Sequence, residues 1–280
     1  MSQGERQFSL AYLAVPGTPP RRMIQIAGET GYDFVSLRIA PVTPDEPRFP
    51  FTTDRALVAE VIEALDEYGV SLLDVELVRT DPGTSVADFA AFAEVAAEMG
   101  ARHVVTQIPE PDKAHAIELF AEVCDLAKTY GMTADLEFIP WSATANLDAA
   151  SRIATQAARP NGGVLVDTLH FARSHSSITR LAELPREMFN FVQLCDAGDQ
   201  LSTSDEELIR VARSDREPPG KGAIDLDPIV AAIPRVPYAL EVPNDAKRKV
   251  LGDLEYARFV LEATKSFFAA LDTDERVATG

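Results

Sequence analysis

Short apolar runs alternate along the chain with longer stretches whose apolar residues recur at three- and four-residue spacing. The short runs predict eight strands, at 8–14, 34–39, 71–77, 103–107, 132–138, 163–167, 189–194 and 238–242. The longer stretches predict helices between them, clearest at 53–68, 86–99, 113–130 and 146–157, with a last one at 252–271. Gly31-Tyr32, Gly69-Val70, Gly100-Ala101 and Gly131-Met132 read as helix C-caps that feed a strand. Eight β/α units in 280 residues predict one α/β domain, a (β/α)8 TIM barrel, over an open doubly wound sheet. An open sheet more often carries a Gly-rich phosphate loop after its first strand. Here that segment, Val15-Pro16-Gly17-Thr18-Pro19-Pro20, is no dinucleotide fingerprint. The barrel is expected over about residues 8–271, with 273–280 a frayed tail.

In a barrel the chemistry sits at the C-terminal ends of the strands. The fifth to eighth strand candidates each carry a side-chain oxygen there: Glu137, Asp167, Gln193 and Glu241. Three carboxylates and an amide suit one hard-to-borderline divalent cation, Mg2+, Mn2+ or Co2+, rather than thiolate-bound zinc. Taken singly, an acid at a strand end is more often a helix N-cap or a surface group. A lone buried glutamine can serve only to satisfy neighbouring backbone groups. Four such positions on consecutive strands are harder to dismiss as a set. His170, three residues after Asp167, suits substrate binding, proton relay or support of the ligands, or equally a structural, capped histidine. His103, His115 and His175 have no supporting pattern, and Cys195 on an apolar strand reads as a small core residue.

Composition narrows the partners. Apolar residues make up 46% of the chain, enough for a full core, and the formal charge is -18. That charge argues against binding a nucleic-acid backbone and suits a soluble cytoplasmic protein. The segment 1–6 lacks the apolar core of a signal peptide, and no run approaches the roughly 18 apolar residues of a membrane helix. Two cysteines make no disulfide framework. The connection after Asp196 is long, about 40 residues, and loops of that length are often functional. It holds a short helix capped by Ser204 or Asp205, then a stretch from Arg213 to Gly222 rich in charge, Pro and Gly.

At these residues the sequence resembles the xylose-isomerase-like TIM barrels, the sugar phosphate isomerase/epimerase superfamily. The matching segments are Leu136-Glu137-Phe138, Val166-Asp167-Thr168-Leu169-His170, Phe191-Val192-Gln193-Leu194-Cys195-Asp196-Ala197, Pro219-Gly220-Lys221-Gly222-Ala223-Ile224-Asp225 and Leu240-Glu241-Val242. Most members place His where this chain has Gln193. A Gln there resembles one branch of the bacterial 3-dehydroshikimate dehydratases. Three further features are similar to that branch: Trp141 four residues after Glu137, an Arg-x-x-Arg-x-x-Pro-Gly-x-Gly stretch over 213–222, and Glu-x-x-Asn-Asp over 241–245. The early half departs from the pattern: the family usually carries an acid at the end of strand two, where this chain reads Ser36-Leu37-Arg38. Arg38 suits a substrate carboxylate or phosphate, or is surface charge.

The resemblance implies proton abstraction next to a carbonyl, with a divalent metal stabilising the enediolate. Glu137 and Glu241 are then candidates for both ligand and acid/base, and His170 is a third catalytic candidate. Arg216 and Trp141 are candidates for substrate contact; Arg213 is another, or a solvated helix end. Three outcomes are open: an isomerase or epimerase on a sugar or polyol, a lyase that dehydrates a cyclic polyol or keto acid, and a non-catalytic barrel that binds a ligand or partner. A nuclease, also known in the superfamily, fits poorly with the acidity and the few histidines. Barrels of this type often form homo-oligomers, although no interface is legible in the chain.

Overall fold

The fold comes from a computed structural model, which describes residues 5–43, 46–199 and 204–279, with side chains through 273. Eight parallel strands close into a barrel in sequence order: β1 (Phe8–Leu10), β2 (Phe34–Arg38), β3 (Ser71–Arg79), β4 (His103–Gln107), β5 (Thr133–Glu137), β6 (Gly162–Asp167), β7 (Val192–Gln193) and β8 (Tyr238–Leu240). The register Leu10↔Leu240 between β1 and β8 closes the ring. The barrel expected from periodicity is therefore present. Its strands are buried nearly throughout, as parallel strands covered on both faces are, although β3, β4 and β5 carry polar residues among the apolar ones.

Helices join the strands. Among them are α1 (Pro20–Thr30), α2 (Arg55–Tyr68), α3 (Ala90–Glu98), α4 (Lys113–Thr129) and α5 (Leu147–Ala157). Asp54, Asp112 and Asn146 cap α2, α4 and α5 by accepting first-turn N–H groups. Gly31 and Gly69 close α1 and α2 in the left-handed region, as the Gly-led turns predict. The main core lies between the strands and these helices. A second apolar cluster, with Phe34, Leu73, Leu77, Val105, Leu165 and Phe191, plugs the barrel interior beneath the site.

Boundaries differ in three places for local reasons. Predicted strand 8–14 stops at Leu10, because the ladders to β2 and β8 end there. The chain then folds into a 3-10 turn, Tyr12–Ala14, which turns Tyr12 toward the barrel mouth. Predicted helix 86–99 begins as a 3-10 turn, Val86–Phe89, behind a Ser85–Asp88 capping box. The last helix, expected at 252–271, is assigned over Asp253–Thr279, with no Gly or Pro to stop it before Gly280, which lies outside the described residues.

Six more helices follow among the described residues. α6 (Thr168–Arg173) and α7 (Ile178–Ala182) follow β6. The long connection after β7 folds into α8 (Asp205–Ser214), capped by Ser204, and α9 (Leu226–Ala232); its residues 200–203 lie outside the described set. α10 (Asp245–Leu251) follows β8, and Asp253–Thr279 is α11. Among the described residues, no helix is long and apolar enough to cross a membrane.

Candidate active site

The four positions read as oxygen donors all lie at the same end of the barrel. Glu137, Asp167 and Gln193 are the last residues of β5, β6 and β7, and Glu241 follows β8 by one residue. All four are buried. Ligand atoms of Glu137, Asp167 and His170 lie within 4.8 Å of one another. The Gln193 Nε2 donates to Glu241 Oε1 at 3.0 Å, while Gln193 Oε1 has no partner among the described residues. An amide oriented in this way presents its oxygen and not its nitrogen.

Asp167 does two things, and one is the ordinary duty of an acid at a strand end. Its Oδ1 caps α6 by accepting from the N–H groups of Leu169 (2.8 Å) and His170 (3.0 Å). Its Oδ2 accepts from Arg216 Nη1 at 2.5 Å. The same guanidinium reaches Glu241 Oε2 at 3.0 Å and the Glu241 carbonyl at 3.2 Å. Arg216 is only 1% exposed, and its Nε donates to the Ala212 carbonyl on α8. Arg216, expected to hold substrate, thus already serves two protein carboxylates.

The Pro-Gly stretch of the long connection brings Arg216 there. The Asp196 carboxylate accepts from the backbone N–H groups of Ala197, Gly220, Gly222 and Ile224. A Cβ at Gly222 would press into the Ala197 carbonyl and the Asp196 carboxylate. Asn244 donates to the Arg216 carbonyl at 2.8 Å and caps α10. Both motifs therefore have a structural duty: they fold the connection so that its arginine enters the carboxylate cluster.

Burial and charge divide the titrating groups. Burial pushes Glu137 up to about 7, with the Asp167 charge adding to it. Burial raises Glu241 well above the carboxylate range, only partly offset by Arg216. Burial is the largest single effect on Asp167 too, but the Arg216 and His170 charges together with the hydrogen bonds from Arg216 and the His170 N–H outweigh it and hold Asp167 below its ordinary value. Burial lowers His170 to about 4, so its imidazole is neutral near pH 7. The ring stands edge-on to Trp141, centroids 5.2 Å apart, and its Nε2 is 3.8 Å from Glu137 Oε1.

Above this cluster opens a cavity of about 380 Å³. Glu137, Trp141, His170, Gln193, Arg213, Arg216, Glu241 and Arg38 all line it. Arg213, on α8, sits exposed at the rim and makes no hydrogen bond or ion pair among the described residues. Arg38 is buried, not surface charge, and binds Glu76. His103 lies at the start of β4, stacked on Phe191, outside the cavity lining. Cys195 is buried in the core with its thiol pushed up to about 12 by burial.

Sequence reasoning passed over four wall residues. Tyr12, Glu76, Arg79 and Gln107 also line the cavity. Gln107 ends β4 and donates to Glu137 Oε2 at 2.6 Å, while its own oxygen accepts from Arg79 at 3.0 Å. Polar residues near the ends of the third and fourth strand candidates were a legible signal. Tyr12 gave none, since it stood in a predicted strand.

The donor set fits a divalent cation on chemical grounds. Once all three carboxyls are ionised, as a bound cation would keep them, they and one guanidinium leave two uncompensated negative charges, the charge such an ion carries. The orphaned Gln193 oxygen adds a neutral donor.

Comparison with known proteins agrees with this architecture. A family model described as xylose isomerase-like TIM barrel matches residues 24–260. The chain belongs to that family. The inosose isomerase of Bacillus velezensis is 24% identical over 273 residues, covering 91% of each chain. In fold, the barrel is similar to the crystal structure of the IolI protein with a zinc atom, with a TM-score of 0.77 at 19% identity, covering 95% of this chain and 97% of that one. It is also similar to the probable 3-DHS dehydratase AsbF of Bacillus anthracis, with a TM-score of 0.70 at 16% identity, covering 91% and 98%.

Proposed function

We propose that this chain is a divalent-metal-dependent sugar or polyol isomerase or epimerase that abstracts a proton next to a carbonyl. The observation that carries the reading is the buried set at the ends of β5 to β8: Glu137, Asp167, Gln193 and Glu241, with His170 beside them under an open cavity. The similarity to inosose isomerases supports a polyhydroxylated carbonyl compound as substrate.

Glu137, Asp167, Gln193 and Glu241 would hold Mn2+, Mg2+ or Co2+. A cation there supplies positive charge for the oxygen that becomes negative as the enediolate forms. Glu137 and Glu241, three strands apart around the barrel, take and return the proton. His170 is the third group in reach and is neutral, so it can accept a proton. Arg216 fixes the orientation of Asp167 and Glu241. Gln107 does the same for Glu137. Trp141 forms an apolar wall beside His170 that limits water around the reacting atoms.

A second reading is favoured by Arg213. A cation at the rim with no partner among the described residues suits a substrate carboxylate, hence a hydro-lyase acting on a cyclic keto acid of the dehydroshikimate type. The same enolised intermediate would then expel a β-hydroxyl. Purified protein assayed for metal and then incubated with ketoses, inososes and 3-dehydroshikimate separates the readings by product. A rearranged sugar or polyol supports the first and a dehydrated acid the second. Metal-free protein with no product from any substrate would favour a non-catalytic barrel.

A further inference from the structure

We propose that Tyr12 and Glu76, held by Arg38, form a hydroxyl-reading subsite on the β1–β3 wall of the cavity. It would select a substrate that carries hydroxyl groups beyond its carbonyl. The inference deepens the function proposed above and rests on it.

Glu76 is 2% exposed. Its Oε2 accepts two hydrogen bonds from Arg38, from Nε at 3.0 Å and Nη2 at 2.6 Å. Its Oε1 is buried and has no partner among the described residues. Arg38 is pinned in turn: Nη1 donates to Glu46 Oε2 at 3.2 Å, and that oxygen also accepts from the Val42 N–H. The guanidinium lies over the Tyr12 ring, 4.9 Å from its centroid. Tyr12 is 2% exposed, and the Gly17 N–H is directed at its hydroxyl oxygen. Among the described residues the phenolic proton has no acceptor.

Tyr12, Arg38 and Glu76 line the same cavity as Glu137 and Glu241. Buried polar atoms in folded proteins are almost always hydrogen-bonded. Two orphaned atoms on one wall of an open cavity are placed for a ligand. One is a carboxylate acceptor and the other a phenol donor, and both flank one guanidinium. A hydroxyl both donates and accepts, so one or two adjacent hydroxyls satisfy the pair. A phosphate or carboxylate would be repelled by Glu76, and a bare carbonyl offers it no proton. Arg38 is thereby a positioning residue, since its charge is engaged by Glu76 and Glu46.

The test uses Trp141, the only tryptophan and a lining residue, as a fluorescent reporter of binding without turnover. The probes are myo-inositol and its monodeoxy analogues. Wild type should bind myo-inositol and bind at least one monodeoxy analogue about 10- to 100-fold more weakly. Tyr12→Phe should erase much of that discrimination while circular dichroism and melting stay as in wild type. Glu76→Gln turns its amide N–H2 to the cavity, because Arg38 keeps an oxygen, and should lose discrimination likewise. Tyr12→Phe breaks no ion pair, so it carries the test if Glu76→Gln does not fold. Unchanged discrimination in a folded variant, or no binding of myo-inositol by wild type, overturns the subsite. Intact discrimination with no turnover of any substrate would instead refute the proposed reaction and leave the subsite standing.

Discussion

Replacing Arg216 with Met tests how the carboxylate cluster is held together. The guanidinium is buried and pairs with two carboxylates, Asp167 at 2.5 Å and Glu241 at 3.0 Å. Met keeps most of the apolar stem and removes the charge. Removing one partner of a buried ion pair costs about 3–5 kcal/mol, mainly because the other charge stays buried without compensation. Here two carboxylates are stranded, so the loss should fall at the upper end of that range. Urea unfolding in EDTA, followed by circular dichroism, measures it as a lower midpoint with an unchanged slope. A divalent cation at about 100 times its Kd stabilises the protein by about 2.7 kcal/mol. The variant lacks the cation that competes for the same oxygens, so added Mn2+ should recover more stability in Arg216→Met than it adds to wild type. Asp167 gives the pH sign. Its folded value lies below the unfolded one, so the stabilisation from the pair is present above about pH 4 and fades as the pH falls further. The reasoning fails if Arg216→Met unfolds within about 1 kcal/mol of wild type in EDTA at neutral pH.

Other perturbations reach different parts of the account. Glu241→Gln should abolish turnover, by at least about a thousandfold in kcat, with the circular dichroism spectrum unchanged; wild-type kcat would remove Glu241 from the chemistry. Gln193→His should retain the metal, since imidazole is a common ligand for such ions, and calorimetry showing no binding would mean that position 193 is not a ligand. Asp135 is buried on β5, accepting from Thr133 at 2.6 Å and Asn190 at 2.7 Å, and burial pushes it up to about 6. Its folded value lies above the unfolded one, so its contribution to stability declines as the pH rises from about 4 to about 6. Asp135→Asn lacks that decline, so its stability relative to wild type should improve by about 2 kcal/mol between pH 4 and pH 7. A flat difference in paired urea melts would contradict the assignment.

The barrel was legible because its signals are local. Each strand is a short apolar run, each helix an amphipathic one, and Asp54, Asp112 and Asn146 cap where a polar residue precedes the periodic stretch. The positions of Glu137, Asp167 and Gln193 followed from the same pattern, since the last residue of a barrel strand faces the site end. The partners of charged groups were not legible. Arg216 meets Asp167 across 49 positions, through a connection shaped by Asp196 and Gly222. Nothing local to Arg216 distinguishes that role from holding substrate. Arg38 was read as a substrate contact or surface charge because Glu76 lies one strand away, and their pairing depends on the β2–β3 register. Tyr12 was hidden by a predicted strand that ran too far. Its turn forms only because the sheet ends at Leu10, a property of how the barrel closes.

The central claim is proton abstraction at this cluster with help from a divalent cation, and solvent exchange measures it before any product forms. Protein loaded with Mg2+ is incubated in D2O with each ketose, inosose and 3-dehydroshikimate, and proton NMR follows the signal next to the carbonyl. The account predicts loss of that signal for at least one compound, abolished by EDTA and by Glu241→Gln, and restored when Mg2+ is returned to the wild type. Exchange that continues undiminished in EDTA, or metal-loaded protein that exchanges none of these compounds, would contradict it.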